Sequence, residues 1–326
     1  MSVSIIIPFY NSEKFVDITV SSIVSQTYRD LEVVCVNDGS SDNTINLLQK
    51  WAEKDSRIKI LDKENGGIET ALKSGLPYLS KKYTFLIGHD DTLSPEAIEK
   101  AVREIESAND IDAVRMKLVI IDENKNVSSI MDDTRVLTGM EALKDTIIQW
   151  KIHTFCLWKT EVFKKINNIT VNGLMNFDEV ATRYLYTQCR KVSHCDGEYL
   201  YLQHSQSVTH KISPRLLDNY AVDFYIKKLL IDSNIYPEFK DTFERHMFAR
   251  LKKITTLYFE LKTKGLKLTE KDLNKVKLLY ETIDFKYVKH KSSLIDSFKY
   301  DLMHQFFPIY YYTKKRLYDK STNNNL

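Results

Sequence analysis

The stretch with the clearest chemical potential is Phe85-Leu86-Ile87-Gly88-His89-Asp90-Asp91-Thr92, where an apolar run ends abruptly on two adjacent carboxylates. Carboxylates are almost never fully buried unless they are paired or bound to a metal. A strand that ends on two of them therefore places them at a rim. Hard oxygen ligands suit Mg²⁺ or Mn²⁺, and such sites combine one or two carboxylates with the phosphates of a substrate. A solvated acidic loop is the competing reading of the pair, and the segments that must position it decide between the two.

Those segments alternate. Val3-Ser4-Ile5-Ile6-Ile7-Pro8 reads as a strand covered on both faces. Ser12 then stands where it can cap a helix whose inner face is Val16, Val20, Ile23 and Val24. A second strand, Glu32 to Val36, closes on Asn37-Asp38-Gly39-Ser40-Ser41-Asp42, and a helix through Ile45, Leu48 and Trp51 follows. Arg57 to Leu61 predicts a third strand, Glu64-Asn65-Gly66-Gly67 a turn, and Ile68 to Gly75 a helix. The strand Tyr83 to Ile87 comes next, and Ser94-Pro95-Glu96 reads as the start of another helix. Strands alternating with helices predict an α/β fold with a mostly parallel sheet and helices on both faces. In such a sheet the strand ends share one edge, so Tyr10-Asn11, Asp38-Gly39 and Asp90-Asp91 are expected to meet in one crevice. There Tyr10 offers a ring face for a base, Asp38 an acceptor for a base N–H or a ribose hydroxyl, and Gly39, Gly66 and Gly67 close backbone approach.

Taken together, Ile5-Ile6-Ile7-Pro8-Phe9-Tyr10-Asn11, Gln26-Thr27-Tyr28, Val36-Asn37-Asp38-Gly39-Ser40-Ser41-Asp42, Asn65-Gly66-Gly67 and His89-Asp90-Asp91 resemble the family 2 glycosyltransferases. The resemblance covers roughly the first 210 residues. It implies a Rossmann-like GT-A fold, a nucleotide-diphosphate sugar donor (UDP-linked above all), a saccharide or lipid-linked saccharide acceptor in surface-glycan synthesis, and a Mn²⁺ or Mg²⁺ ion. It implies donor contacts from Pro8, Tyr10, Asn11, Asp38, Gly67, Lys73 and Asp90, and cation ligands among Asp91, Asp90 and His204. Trp158 becomes either an acceptor-stacking residue or a core tryptophan. Asn176-Phe177-Asp178-Glu179 resembles the family's Glu-Asp pair in reversed order; Glu179 is favoured as the base for inverting transfer, with Asp178 as the alternative or as a ligand of the acceptor hydroxyl. A pair that merely favours a helix N-terminus is the plainer reading.

Three positions depart from the family pattern: Asn37 replaces an acid, Gly88 stands where many relatives carry another, and Ala71-Leu72-Lys73 replaces Ala-Arg-Asn. The departures at Gly88 and Leu72-Lys73 keep open a catalytically weak or inactive relative that binds nucleotide-sugar or partner enzymes. A nucleotidyltransferase would carry a Gly-rich, basic loop after the first strand, and Phe9-Tyr10-Asn11 is not one.

Residues 1–210 carry 24 basic and 30 acidic side chains, and residues 211–326 carry 23 and 14, so the basic surplus belongs to the C-terminal part. The predicted organisation is a catalytic domain over 1–212 and an all-helical basic region over 213–326. Within the latter, 292–318 joins an apolar stripe to tyrosines and Lys314-Lys315-Arg316, which suits the inner membrane surface, a packed helix or a homodimer contact. Acids interleave with the bases and no nucleic-acid module is present, so no nucleic-acid partner is expected. Four cysteines without a Cys-x-x-Cys pair, no secretory leader and no membrane-length apolar run predict a cytoplasmic protein, peripheral at most.

Overall fold

The computed structural model describes residues 2–204 and 212–290. The expected surface helix 292–318, the stretch Ser205 to His210 and the tail from Ser321 lie outside the described residues. The chain falls into two compact units, Met1–Ser207 and Val208–Leu326.

In the first unit the chain runs β1 (Val3–Phe9), α1 (Val16–Val24), β2 (Leu31–Asp38), α2 (Thr44–Lys54), β3 (Ile58–Lys63), α3 (Gly67–Gly75) and β4 (Tyr83–Leu86). It continues with β5 (Thr92–Leu93), α4 (Ala97–Ile105), β6 (Ile111–Asp122), β7 (Val127–Met131), β8 (Leu137–Thr138) and α5 (Gly139–Asp145). The last elements are β9 (Cys156–Lys159), α6 (Thr160–Phe163), α7 (Phe177–Thr187) and β10 (Lys191–Gln203). One sheet has the order β3-β2-β1-β4-β9-β6-β10-β5, with β7 on β6 and β8 on β10. Strands β1 to β4, together with β6 and β10, run the same way; β5, β7, β8 and β9 run against them. Every residue of β1 and β2 is buried, as expected of strands covered on both faces.

Two local expectations shift, each for a visible reason. The Ser94 hydroxyl accepts from the Glu198 N–H of β10, so α4 begins only at Ala97 instead of being capped by Ser94. Ser12 closes a separate turn, donating from its hydroxyl to the Tyr10 carbonyl, and α1 starts at Val16.

The edge at the amino ends of the forward strands is clamped by paired acids. Glu32 accepts from the Ser4 and Ser80 hydroxyls, the Ser80 N–H and Lys59. Asp112 accepts from Lys159 and from both the main chain and guanidinium of Arg190, joining β6 to β9 and to the approach to β10. Burial pushes the Asp112 carboxyl up, but the Arg190 and Lys159 hydrogen bonds outweigh it and hold the group down at about 2.

The second unit is helical among its described residues: α8 (Asp218–Asp232), α9 (Tyr236–Thr263), α10 (Glu270–Thr282) and α11 (Phe285–His290). The predicted Thr269/Asp272 pair forms a capping box at the start of α10. Buried Glu244 accepts from Lys227, the Tyr236 hydroxyl and the Asp284 N–H, tying three segments together. No helix among the described residues is long and apolar enough to cross a membrane.

The Asp112 clamp yields a stability prediction. Asp112→Ala is expected to destabilise the first unit by about 2 kcal/mol, because it strips two cations of their buried partner. The native carboxyl is depressed, so its contribution is complete above the unfolded value near 4 and is lost as pH falls through about 2. Urea denaturation of both proteins at pH 7 and pH 3 should show the difference shrinking at the lower pH.

Candidate active site

At the opposite edge, the carboxyl ends of the forward strands bring the predicted loops together. Asn11, in the left-handed region at φ 48°, clips the first loop to the second. Its side-chain oxygen accepts from the Ser41 N–H at 2.8 Å, and its own N–H donates to the Ser40 hydroxyl at 3.0 Å. Tyr10 beside it is 44% exposed, an open ring on the lip. Pro8 is buried within β1, opposite Val36, and supports this loop from below.

Asp38 does something other than expected. Its carboxylate accepts from the Gly66 N–H at 3.0 Å, the Gly67 N–H at 2.7 Å and the Lys63 ammonium, with 4% of the residue exposed. It therefore folds the glycine turn that opens α3, instead of presenting a free acceptor. Gly39 is needed for the same joint: at φ +67° a Cβ there would sit 2.6 Å from the Asn65 nitrogen. An open cleft of about 440 Å³ beside the joint is lined by Asn37, Gly39, Ser40, Asp62, Lys63 and Glu64. Lys73 donates to Glu69 at 2.9 Å and to the Thr170 hydroxyl at 3.3 Å, and lies 5.8 Å from the Phe177 ring centroid. It bridges α3 to the first residue of α7.

The two adjacent acids point in different directions. Asp91 is 3% exposed and turned inward, where its carboxyl accepts from the Tyr199 hydroxyl and, at 2.9 Å, from the Leu202 N–H of β10. Burial, reinforced by the neighbouring Asp90 charge, pushes the Asp91 carboxyl up to about 8, against the pull of those two bonds. This placement also accounts for Gly88, because a Cβ at that position would come 2.6 Å from Asp91 Oδ2. Asp90 is the acid left at the rim, with Oδ2 3.0 Å from His204 Nε2. The ring of Phe15, from the loop after β1, lies 4.5 Å from that of His204 and 6.3 Å from that of His89. The first loop thus packs against the two histidines that flank the acids.

The acids of α7 divide as well. Glu179 accepts from Asn176 Nδ2 at 2.9 Å and from the Arg183 guanidinium at 3.2 Å. Asp178 is exposed yet hemmed in by protein, and this desolvation, with Glu179 beside it, raises its carboxyl to about 6. Asp178, Asp90 and Asp91 all act on one group: together with burial, their charges push the Tyr201 hydroxyl to about 12. Sequence reasoning missed Tyr199 and Tyr201, whose alternation along Tyr199-Leu200-Tyr201 was the available signal. Trp158 is corrected to a core residue, 2% exposed and packed on Tyr186 with ring centroids 5.5 Å apart, so it has no face for a sugar.

The donor set suits a hard divalent cation held jointly with a diphosphate. Among the described residues no three His, Cys, Asp or Glu side chains come together closely enough to hold an ion unaided. Asp90 and His204, 3.0 Å apart, are the pair that could hold such an ion, one by a carboxylate oxygen and the other by an imidazole nitrogen, with phosphate oxygens and water needed to complete its shell.

Removing the Tyr199 hydroxyl leaves a buried carboxyl short of one partner. Tyr199→Phe is expected to lower stability by about 1–3 kcal/mol, measured by urea denaturation at pH 7. A change below ~0.3 kcal/mol would mean that the Asp91–Tyr199 bond does not hold β10 in place.

Comparison with known proteins agrees with this geometry. Residues 4–167 match the family model "Glycosyl transferase family 2". An uncharacterized glycosyltransferase of Haemophilus influenzae is 40% identical over 124 residues, which span 38% of this chain and 38% of that protein. Glycosyltransferase GlyG of Streptococcus pneumoniae is 25% identical over 288 residues, covering 80% of this chain and 95% of its own. Among solved structures, residues 1–349 of S. aureus TarS, crystallised with UDP-GlcNAc, superpose with a TM-score of 0.65 at 18% identity, over 100% of this chain and 92% of that one. The likeness to TarS supports the GT-A fold, and the family match settles the relationship: this chain belongs to glycosyltransferase family 2.

Proposed function

We propose that this protein is a metal-dependent, inverting glycosyltransferase that moves a sugar from a UDP-linked donor to a saccharide acceptor in surface-glycan synthesis. The observation that carries this reading is geometric: Asp90 and His204 meet 3.0 Å apart at the carboxyl edge of the sheet, and Asp178, an accessible carboxylate raised to about 6, acts on the same Tyr201 hydroxyl as Asp90 and Asp91. A group with that pKa is ionised at neutral pH and remains a competent proton acceptor.

In this reading the base stacks on Tyr10, and the backbone at Gly66 and Gly67 approaches the nucleoside closely. Asp90 and His204 would hold a divalent cation, which when bound neutralises the charge that develops on the departing diphosphate. Asp178 takes the proton of the acceptor hydroxyl as its oxygen forms the bond to C1. The bond from C1 to the diphosphate oxygen breaks on the opposite side, so UDP leaves with its electron pair and the anomeric configuration inverts. Glu179 serves as a positioning residue that holds Arg183 and Asn176, which reverses the assignment favoured by motif order. UDP and UDP-GlcNAc in the TarS crystals support a nucleotide-sugar donor, and a UDP-linked one is the first to test. Contact of 292–318 with a membrane surface would suit a lipid-linked acceptor.

Release of UDP from a panel of UDP-sugars with Mn²⁺ is the direct test, and no release from any donor would sink the reading. Asp178→Asn is expected to lower transfer by roughly 10²–10⁴-fold while leaving UDP-sugar binding within about twofold. Because the base must be ionised, kcat should fall about tenfold per pH unit below about 6. A flat profile from pH 5 to 8 would assign the proton to another group.

A further inference from the structure

With Trp158 in the core, Trp150 is the tryptophan that stands exposed among the described residues. Trp150 lies in the turn between α5 and β9 and is 41% exposed, an unusual state for the largest apolar side chain. Its ring is firmly held. The Arg183 guanidinium carbon lies 4.0 Å from the ring centroid, and that guanidinium is itself fixed by the Thr146 carbonyl at 3.0 Å, the Glu179 carbonyl at 3.0 Å and the Glu179 carboxylate.

The turn that presents the ring is pinned by its own main chain. Ile148 sits in the left-handed region at φ 66°, a conformation that a β-branched residue adopts only when its surroundings impose it. Gln149 N–H donates back to the Ile147 carbonyl at 2.7 Å, and Lys151 N–H to the Asp145 carbonyl at 2.9 Å. Strain of this kind gathers at functional sites. The ring is also close to the chemistry. Arg183 lies on α7, the helix that begins next to Asp178, and its charge acts on the Asp178 carboxyl. The Arg183 guanidinium that backs the indole also holds Glu179, the residue next to Asp178, so the open ring is linked to the helix turn that carries the proposed base.

We propose that the Trp150 ring is the platform on which a sugar of the acceptor saccharide stacks. A pyranose has an apolar C–H face rimmed by hydroxyls, and a flat indole bordered by charged side chains matches both features. Because Arg183 has already fixed the ring, little conformational entropy is lost on binding. The inference rests on the glycosyltransfer reading above and adds to it the residue that holds the acceptor.

The full-length protein is titrated with short oligosaccharides of glucose, galactose and N-acetylglucosamine in the presence of UDP, and tryptophan emission is followed. A saturable change that disappears in Trp150→Phe is expected. With the preferred donor, Trp150→Ala should raise the acceptor KM about tenfold, while donor hydrolysis without acceptor stays within about twofold and Trp150→Tyr recovers most of the loss. The proposal is overturned if no oligosaccharide moves the emission, if the change persists in Trp150→Phe, or if Trp150→Ala loses hydrolysis in proportion to transfer, which would mark a purely structural role. Failure of the wild-type protein to hydrolyse any UDP-sugar would instead count against the glycosyltransfer reading, and the emission titration would still decide the role of Trp150.

Discussion

The arrangement of this site depends on the inward turn of one carboxyl group. Asp91 lies beneath the strand ends, takes the Tyr199 hydroxyl and the Leu202 N–H, and so fixes the end of β10 against the turn that follows β4. Two adjacent carboxylates repel each other in so little solvent, and the structure sends them apart, Asp91 turned inward with its carboxyl raised and Asp90 left at the rim. Everything downstream follows from this division: His204 arrives at Asp90 because β10 is pinned there, and Tyr201 comes to stand among three acids.

The same residue types serve opposite purposes at the two edges of the sheet. At the amino ends of the forward strands, Glu32 and Asp112 are filled by hydroxyls, main-chain N–H groups and cations, and both are held at about 2 despite burial. At the carboxyl ends, Asp91 and Asp178 are raised by desolvation and by neighbouring acids. A clamp keeps its carboxylates permanently charged, whereas a site that must exchange a proton or gather cationic charge keeps them poised. The direction of the shift separates scaffold from candidate machinery more clearly than the residue types do.

Much of this was legible in the sequence. The alternation of apolar runs with helical spacing marked β1 to β4 and a mostly parallel sheet, and the rule that parallel strand ends share an edge led to the expectation that Tyr10, Asp38 and Asp90 lie along one edge. Orientation was not legible. Nothing in Asp90-Asp91 says which carboxyl turns inward; that depends on Tyr199, more than a hundred residues away. Asp38 reads as a ligand acceptor until the Gly66 and Gly67 N–H groups are seen to fill it. Trp158 and Trp150 have similar local surroundings in the sequence, and only the antiparallel insertion of β9 between β4 and β6 shows that the first must be core. The proposed reassignment of the base from Glu179 to Asp178 has the same origin, since Arg183 one turn along α7 pairs with the second acid.

The central claim is that Asp90, with His204, faces a shared crevice in which a cation and a diphosphate meet. A crystal of the full-length protein soaked with UDP and Mn²⁺, with data collected at the manganese absorption edge, tests it most directly. The account predicts one anomalous peak within coordination distance of Asp90 and of the diphosphate oxygens, with the uracil against Tyr10 and Asp91 still bonded to Tyr199. A manganese peak remote from Asp90, or UDP bound away from the ends of β1, β2 and β4, would contradict it.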